Sequence, residues 1–234
     1  MSDPLELVGK IIDDKYEVVS LAGEGGFSAV YRGTHIVWNE PVAIKFFTLL
    51  VDAKEELRER LLQDFIQEGK LMSQLSSHTA AIVQARDIGK IDRGEGDWLP
   101  YMVLEWLEGT PLDQAIEQER GQPPRTLQDA VRLLEPAAVA LDVAHRRGVA
   151  HRDLKPANLV VMGDPRDPTS PVKVLDFGIA KVMSEHQELQ DQLQLTGKVA
   201  TSFTPNYGSP EQYSRRYGAT GPWTDVYAMG LILL

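Results

Sequence analysis

The hydrophobic period of this 234-residue chain changes twice, and that limits the folds open to it. From Lys15 to about Lys45 the pattern is short β-type runs. Tyr16-Glu-Val-Val-Ser-Leu21 alternates loosely, Gly23-Glu-Gly-Gly26 interrupts it, and Phe27 to Thr34 and Pro41 to Phe47 follow. Strands broken by glycine predict an antiparallel meander. Over residues 52–76 the period becomes helical. Leu57, Leu61, Leu62, Phe65, Leu71, Met72 and Leu75 recur among Glu, Arg and Lys as one apolar stripe. Two more strands are expected at about 82–91 and 99–105, with the glycine-rich Asp92 to Asp97 as their turn. Beyond Leu107 the chain is mainly helical. A helix start is expected at Thr110-Pro111 and a long helix from Thr126 to Arg147. Short strands are expected at 159–162 and 172–175, and 179–209 is a long polar segment without period. The expected class is α+β: a small β-rich lobe with one main helix, then a mainly helical lobe, joined near Glu105–Gly109.

Composition removes several function classes. Lys plus Arg number 24 and Asp plus Glu 34, a formal net charge of −10, so a nucleic-acid partner is not expected. With no cysteine, disulfides, thiolate zinc sites and cysteine nucleophiles are excluded. No run approaches the ~18 apolar residues of a spanning helix. The N-terminus lacks the basic-then-apolar order of a signal peptide, so a cytoplasmic location is expected, with a membrane anchor beyond residue 234 of a full-length protein as the alternative.

Four clusters carry chemistry. Gly23, Gly25 and Gly26, followed by Ser28, lie between two strands, where absent Cβ atoms let backbone N–H groups approach phosphate oxygens. No helix follows, so a dinucleotide-binding reading fails, and a plain hairpin turn remains as good a reading. Lys45 sits inside an apolar strand, where a buried ammonium needs a partner. An edge lysine reaching water is the bland alternative, and Glu68 on the amphipathic helix is the candidate partner. His151-Arg-Asp-Leu-Lys-Pro-Ala-Asn158 is a loop after a helix. Asp153 could take a hydroxyl proton, Lys155 could hold a phosphate, and the Asn158 amide oxygen could ligate a hard cation. Asp176, at a strand end beside Phe177 and Gly178, suits Mg²⁺ on phosphates, or simply ends the strand.

In this order the clusters resemble the eukaryotic-type (Hanks-type) protein kinase family, over about residues 15–234. Lys155 within His-Arg-Asp-Leu-Lys-Pro is similar to the serine/threonine branch, and Gly-Glu-Gly-Gly and Ser-Pro-Glu-Gln are similar to bacterial members. The resemblance implies a bilobal kinase-like fold: a lead-in at 1–14, an N-lobe at 15–107 and a C-lobe at 108–234 that ends incomplete. It implies Mg²⁺ (or Mn²⁺) and ATP as cofactors. Gly23, Gly25, Gly26 and Ser28 would cover the phosphates. Lys45, paired with Glu68, would contact them. Val30, Ala43 and Val160 would sandwich the base. Leu104 would be the gatekeeper, and Glu105 and Leu107 the hinge. Asp153 would orient or deprotonate the substrate hydroxyl, Lys155 would steady the γ-phosphate, and Asn158 and Asp176 would hold the metal. Met72, His151 and Phe177 would stack as a spine, and Arg152 would pair with a phosphate on the activation loop, Asp176 to Glu211. Thr196, Thr201 and Ser202 are the candidate acceptors. Thr204 would face substrate and hydrogen-bond Asp153 and Lys155, and Asp225 would prop the catalytic loop.

Three departures stand out. Ser28 replaces the third loop glycine, and Ser209-Pro-Glu211 replaces Ala-Pro-Glu. The chain also ends inside the helix that Asp225 opens, so Glu211 is expected to lack its arginine, apolar surface to be exposed, and the chain to be a piece of a longer kinase. The implied activity is transfer of the γ-phosphoryl group to protein Ser/Thr hydroxyls. Self-association and trans-autophosphorylation of the activation loop would accompany it. A catalytically silent kinase-like module that binds nucleotide and signals by conformation is the alternative. A small-molecule phosphotransferase fits the long loop less well.

Overall fold

The computed structural model describes residues 3–25, 28–48, 55–94, 97–177 and 204–234, apart from a few side chains within them, that of Glu68 included. The described residues fall into two compact units. One lies within Met1–Ser73 and Gln84–Trp106, the other within Gln74–Val83, Leu107–Glu185 and Thr201–Leu234.

The first unit is built on a six-stranded antiparallel sheet. Its strands are β1 (Ile11–Ile12), β2 (Tyr16–Glu24), β3 (Ala29–His35), β4 (Glu40–Phe46), β5 (Ala85–Gly94) and β6 (Asp97–Glu105), in the order β1-β2-β3-β4-β6-β5. Strand alternation sorts the side chains onto two faces. Tyr31, Ile44, Phe46, Tyr101 and Val103 are buried on one face, in a core completed by Leu7 and Ile12. Each large apolar side chain buried there contributes roughly 1.5–3 kcal/mol. On the opposite face the register sets Val30, Lys45 and Met102 in one row and Arg32, Ala43 and Leu104 in the next. Helix α1 (Glu55–Ser76) packs closely on this unit, because Gly69 lacks a Cβ that would lie 2.9 Å from Ile88 and 3.3 Å from Met102. Phe65 meets Phe47 edge-on at 4.6 Å. Beyond the helix, the Ser77 hydroxyl donates to the Gln74 carbonyl (2.7 Å) and closes the last turn.

Residues 3–14 of the lead-in contribute to the core of the sheet. Leu7 and Ile12 are buried, and β1 pairs with β2. The core also buries tyrosines, whose hydroxyls need acceptors. Tyr31 donates to Asp3 (2.5 Å), Tyr101 to Asp13, and Tyr16 to Asp87 (2.8 Å). Burial, then the carboxylate acceptor, pushes all three phenols above their ordinary range, so they stay protonated donors.

The second unit is mainly helical. It comprises α2 (Leu112–Gln118), α3 (Leu127–His145), α4 (Pro210–Tyr213) and α5 (Pro222–Ile232), with a small sheet β7-β8-β9 formed by Thr110–Pro111, Leu159–Val161 and Val172–Val174. Thr126 caps α3 by accepting from the Asp129 N–H (3.1 Å), and Leu133, Leu134, Ala137, Ala140, Leu141 and Ala144 form its buried face. Residues 82–83, expected at the start of a strand, bridge instead to Val174, so β5 begins only at Ala85. Thr110-Pro111 is a short strand, and the helix expected there starts at Leu112. Leu127, Val131, Val139, Trp223 and Val226 are exposed on α3 and α5. No helix among the described residues is long and apolar enough to cross a membrane.

Candidate active site

In the first unit the β2–β3 turn forms the glycine element. Gly23 pairs with Val30, and the Gly25 N–H donates to the Ser28 carbonyl (2.9 Å). Among the described residues, a Cβ on Gly23 would meet nothing within 4 Å, and one on Gly25 only the Ser28 carbonyl at 3.8 Å. Gly33 contrasts with both, since its Cβ would lie 2.6 Å from Ile44 and 2.9 Å from the Glu17 carbonyl. The protein's own packing therefore requires glycine at 33 and not at 23 or 25. There the missing side chain leaves room beside the backbone that a ligand could fill. Gly26 lies outside the described residues. Lys45 is buried on β4, with its ammonium 5.7 Å from the centre of the Phe47 ring. Its expected partner Glu68 lies on α1, and that side chain is outside the description. Val30, in the Lys45 row, and Ala43, in the next, are half-buried, and Leu104 is buried. Glu105 closes β6, its N–H donating to the Gln84 carbonyl (3.0 Å) and its carboxylate accepting from the Gln84 N–H (2.8 Å). Met72 is buried on α1.

In the second unit the loop between α3 and β8 is held from below by Asp225. This carboxylate, 0% exposed, accepts from the backbone N–H groups of His151 and Arg152 (both 2.7 Å) and from His145 Nε2 (2.7 Å). A buried carboxylate is tolerable only with such a set of donors. Arg152 takes a left-handed conformation (φ 66°), and so does Asp176 (φ 54°). In a non-glycine residue each costs of order 1–3 kcal/mol and persists because its surroundings enforce it. His151 Nε2 is 2.7 Å from the Leu175 carbonyl, which can only accept. The Asp153 N–H donates to His151 Nδ1 at 3.3 Å. These partners assign the neutral Nε2–H tautomer. The His151 ring packs on Phe177 at 5.0 Å.

Asp153, Lys155 and Thr204 meet above this base. Lys155 Nζ lies 2.8 Å from Asp153 Oδ2 and donates to Thr204 Oγ1 at 2.8 Å. Thr204 donates to Asp153 Oδ1 through its N–H (2.8 Å) and its hydroxyl (3.0 Å). Asp153 thus already accepts from an alcohol that an ammonium polarises, the arrangement a hydroxyl-activating carboxylate needs. Asn158 is buried, and its Nδ2 donates to the Asp153 carbonyl (2.8 Å), which turns Oδ1 away as an oxygen ligand. The Leu175 N–H donates to the Asn158 carbonyl (2.9 Å), tying the strand end before Asp176 to the same loop. Val160 is buried and Leu107 half-buried.

Glu211 was expected to stand unpaired, and it does not. It accepts from the Thr224 hydroxyl at 2.8 Å. Burial pushes its carboxyl up, but hydrogen bonds from Ser209, its own backbone and Thr224 outweigh burial and hold it below the ordinary range. The candidate phosphoacceptors Thr196, Thr201 and Ser202 lie outside the described residues. Two contributors escaped the sequence reading, His145 and Gln212. Gln212 donates to the Arg152 carbonyl at 2.6 Å. Each bond spans 60 residues or more, so no local spacing signals it.

Residues 16–234 match the protein kinase domain family. A probable serine/threonine-protein kinase, PknB of Corynebacterium glutamicum, is 31% identical over 223 residues, 95% of this chain and 31% of that protein. The serine/threonine-protein kinase PknL of Mycobacterium bovis is 32% identical over 231 residues, 99% of this chain and 50% of that protein. The chain thus spans between about a third and a half of these relatives. Among solved structures, the apo form of PpkA-294 superposes with a TM-score of 0.71 at 25% identity, covering 99% of this chain and 77% of that one. The kinase domain of Mycobacterium tuberculosis PknI gives 0.66 at 24% identity, covering 97% and 75%, and shares the fold.

Proposed function

Because this chain belongs to the protein kinase domain family, we propose that it transfers the γ-phosphoryl group of ATP to serine or threonine hydroxyls of a protein substrate, with Mg²⁺ as the metal. The observation that carries this is the Asp153–Lys155–Thr204 cluster. A carboxylate and an ammonium on one braced loop engage an alcohol at 2.8–3.0 Å. A substrate alcohol in the place of the Thr204 hydroxyl would give its proton to Asp153, while Lys155 would balance charge on the phosphoryl oxygens.

The residues fit nucleotide and metal. In the first unit the open backbone at Gly23 and Gly25 suits phosphate oxygens, and buried Lys45 suits an anion. The face carrying Val30, Ala43 and Leu104 suits a flat base, with the backbone of Glu105 as its polar edge. In the second unit the Asn158 amide oxygen and the Asp176 carboxylate are hard-cation ligands, and Val160 is apolar. The metal, when bound, neutralises charge on the phosphates. The chain's own residues position, desolvate and accept the proton.

The lobe boundaries that accompany this reading are 15–107 and 108–234. Arg152 would receive a loop phosphate at Thr196, Thr201 or Ser202, placed there by a second copy of the chain. Transfer from labelled ATP to peptides that differ only in Ser, Thr or Tyr tests the reading. Labelling of the Ser and Thr peptides, lost in Lys155→Ala with ATP affinity kept, is the expected result. Equal labelling of Tyr, or full activity in Lys155→Ala, would refute it.

A further inference from the structure

Gln212 holds the peptide that sets the direction of Asp153, and the kinase reading leaves it without a role. Its side-chain amide bridges two elements. Nε2 donates to the Arg152 carbonyl at 2.6 Å, and Oε1 accepts from the Ser209 N–H at 3.1 Å at the start of α4. The Arg152–Asp153 peptide is therefore fixed at both of its polar atoms. Its C=O is held by Gln212, and its N–H donates to His151 Nδ1 at 3.3 Å. The preceding N–H, that of Arg152, is held by Asp225 at 2.7 Å. These bonds surround a residue at φ 66°, where rotation of the peptide would relieve strain and swing Asp153 away. His151 and Asp225 belong to the loop's own support. Gln212 holds the peptide from the segment carrying Thr204, whose own N–H and hydroxyl hold the Asp153 carboxylate.

We infer that Gln212 is a positioning residue that locks the Arg152–Asp153 peptide, so that the seating of α4 sets the aim of Asp153. This rests on the proposed kinase reading for its catalytic consequence, though not for its structural one. Arg152, Asp153, Tyr207 and Asp225 line the same tight pocket as Gln212. A glutamate at 212 has the same shape. Ionised, it sets an oxygen against the Arg152 carbonyl and loses the donor.

The test compares the wild type with Gln212→Glu and Gln212→Leu at pH 8, reading kcat, KM for ATP, and hydrogen exchange of residues 151–154. A misplaced catalytic group costs on the order of a hundredfold in rate. Both variants should lose kcat by between about tenfold and a hundredfold, with KM for ATP unchanged, and exchange at 151–154 should quicken in both. A Gln212→Leu variant with wild-type kcat and exchange, or a loss that falls on KM for ATP and leaves kcat unchanged, overturns the inference. If the wild type transfers no phosphate, the kinase reading fails and exchange alone decides: unchanged exchange in Gln212→Leu rejects the lock, and faster exchange supports it.

Discussion

Replacing Asp225 by alanine should remove a large part of the stability of the second unit. The carboxylate is fully buried and receives three donors: the His151 and Arg152 amides and His145 Nε2, each at 2.7 Å. Alanine leaves all three without an acceptor. A buried donor stripped of its partner costs about 1–3 kcal/mol. Water entering the vacated space satisfies part of this, so the expected loss is about 3–6 kcal/mol, against a total stability of about 5–15 kcal/mol. The left-handed Arg152 would also lose the contact that enforces it. His145→Ala removes one donor and keeps both amide bonds, so it should cost about 1–2 kcal/mol. In the Asp225→Ala background it should cost less, because the shared bond is already gone. Urea unfolding followed by circular dichroism measures all four chains. An Asp225→Ala chain within about 1 kcal/mol of wild type, or strictly additive losses, would refute the reasoning.

Two glycines should separate packing from ligand binding. Gly33→Ala forces a Cβ to 2.6 Å from Ile44 and should destabilise by about 1–3 kcal/mol in urea unfolding. Gly23→Ala meets no neighbour, so it should leave stability within about 0.5 kcal/mol and weaken nucleotide binding in calorimetry. Acid stability should respond to Tyr16. Burial pushes the Asp87 carboxyl up, but hydrogen bonds from Tyr16, the Ile88 N–H and Lys15 outweigh burial and hold it below its ordinary 3.8. A carboxyl depressed in the folded state stabilises above its unfolded pKa, and the effect is lost as pH falls through the folded value. Unfolding free energy should therefore drop less steeply from pH 5 to pH 3 in Tyr16→Phe than in wild type, as denaturation at each pH would show.

The readable parts of the sequence are those whose chemistry is local. Lys45 stands in an apolar strand, and Asp153, Lys155 and Asn158 fall within six residues. The α3 pattern shows its buried face directly as Leu133, Leu134, Ala137, Ala140, Leu141 and Ala144. Long-range pairings were invisible. Tyr31 with Asp3 and Tyr101 with Asp13 convert an acidic lead-in into a lid on the sheet's core, and neither pair leaves a periodic trace. Ile82 and Val83 have the composition of a strand opening but bridge to Val174, a choice decided by tertiary pairing. Glu211 looked orphaned because a charged partner was sought, whereas the Thr224 hydroxyl serves.

The measurement closest to the central claim is the intact mass of a Ser/Thr-containing basic peptide incubated with this chain, ATP and Mg²⁺, beside the Asp153→Asn variant. The account predicts a phosphate added by the wild type and none by Asp153→Asn, with both chains equally folded and equally able to bind ATP. Phosphate transfer by Asp153→Asn at the wild-type rate would contradict it.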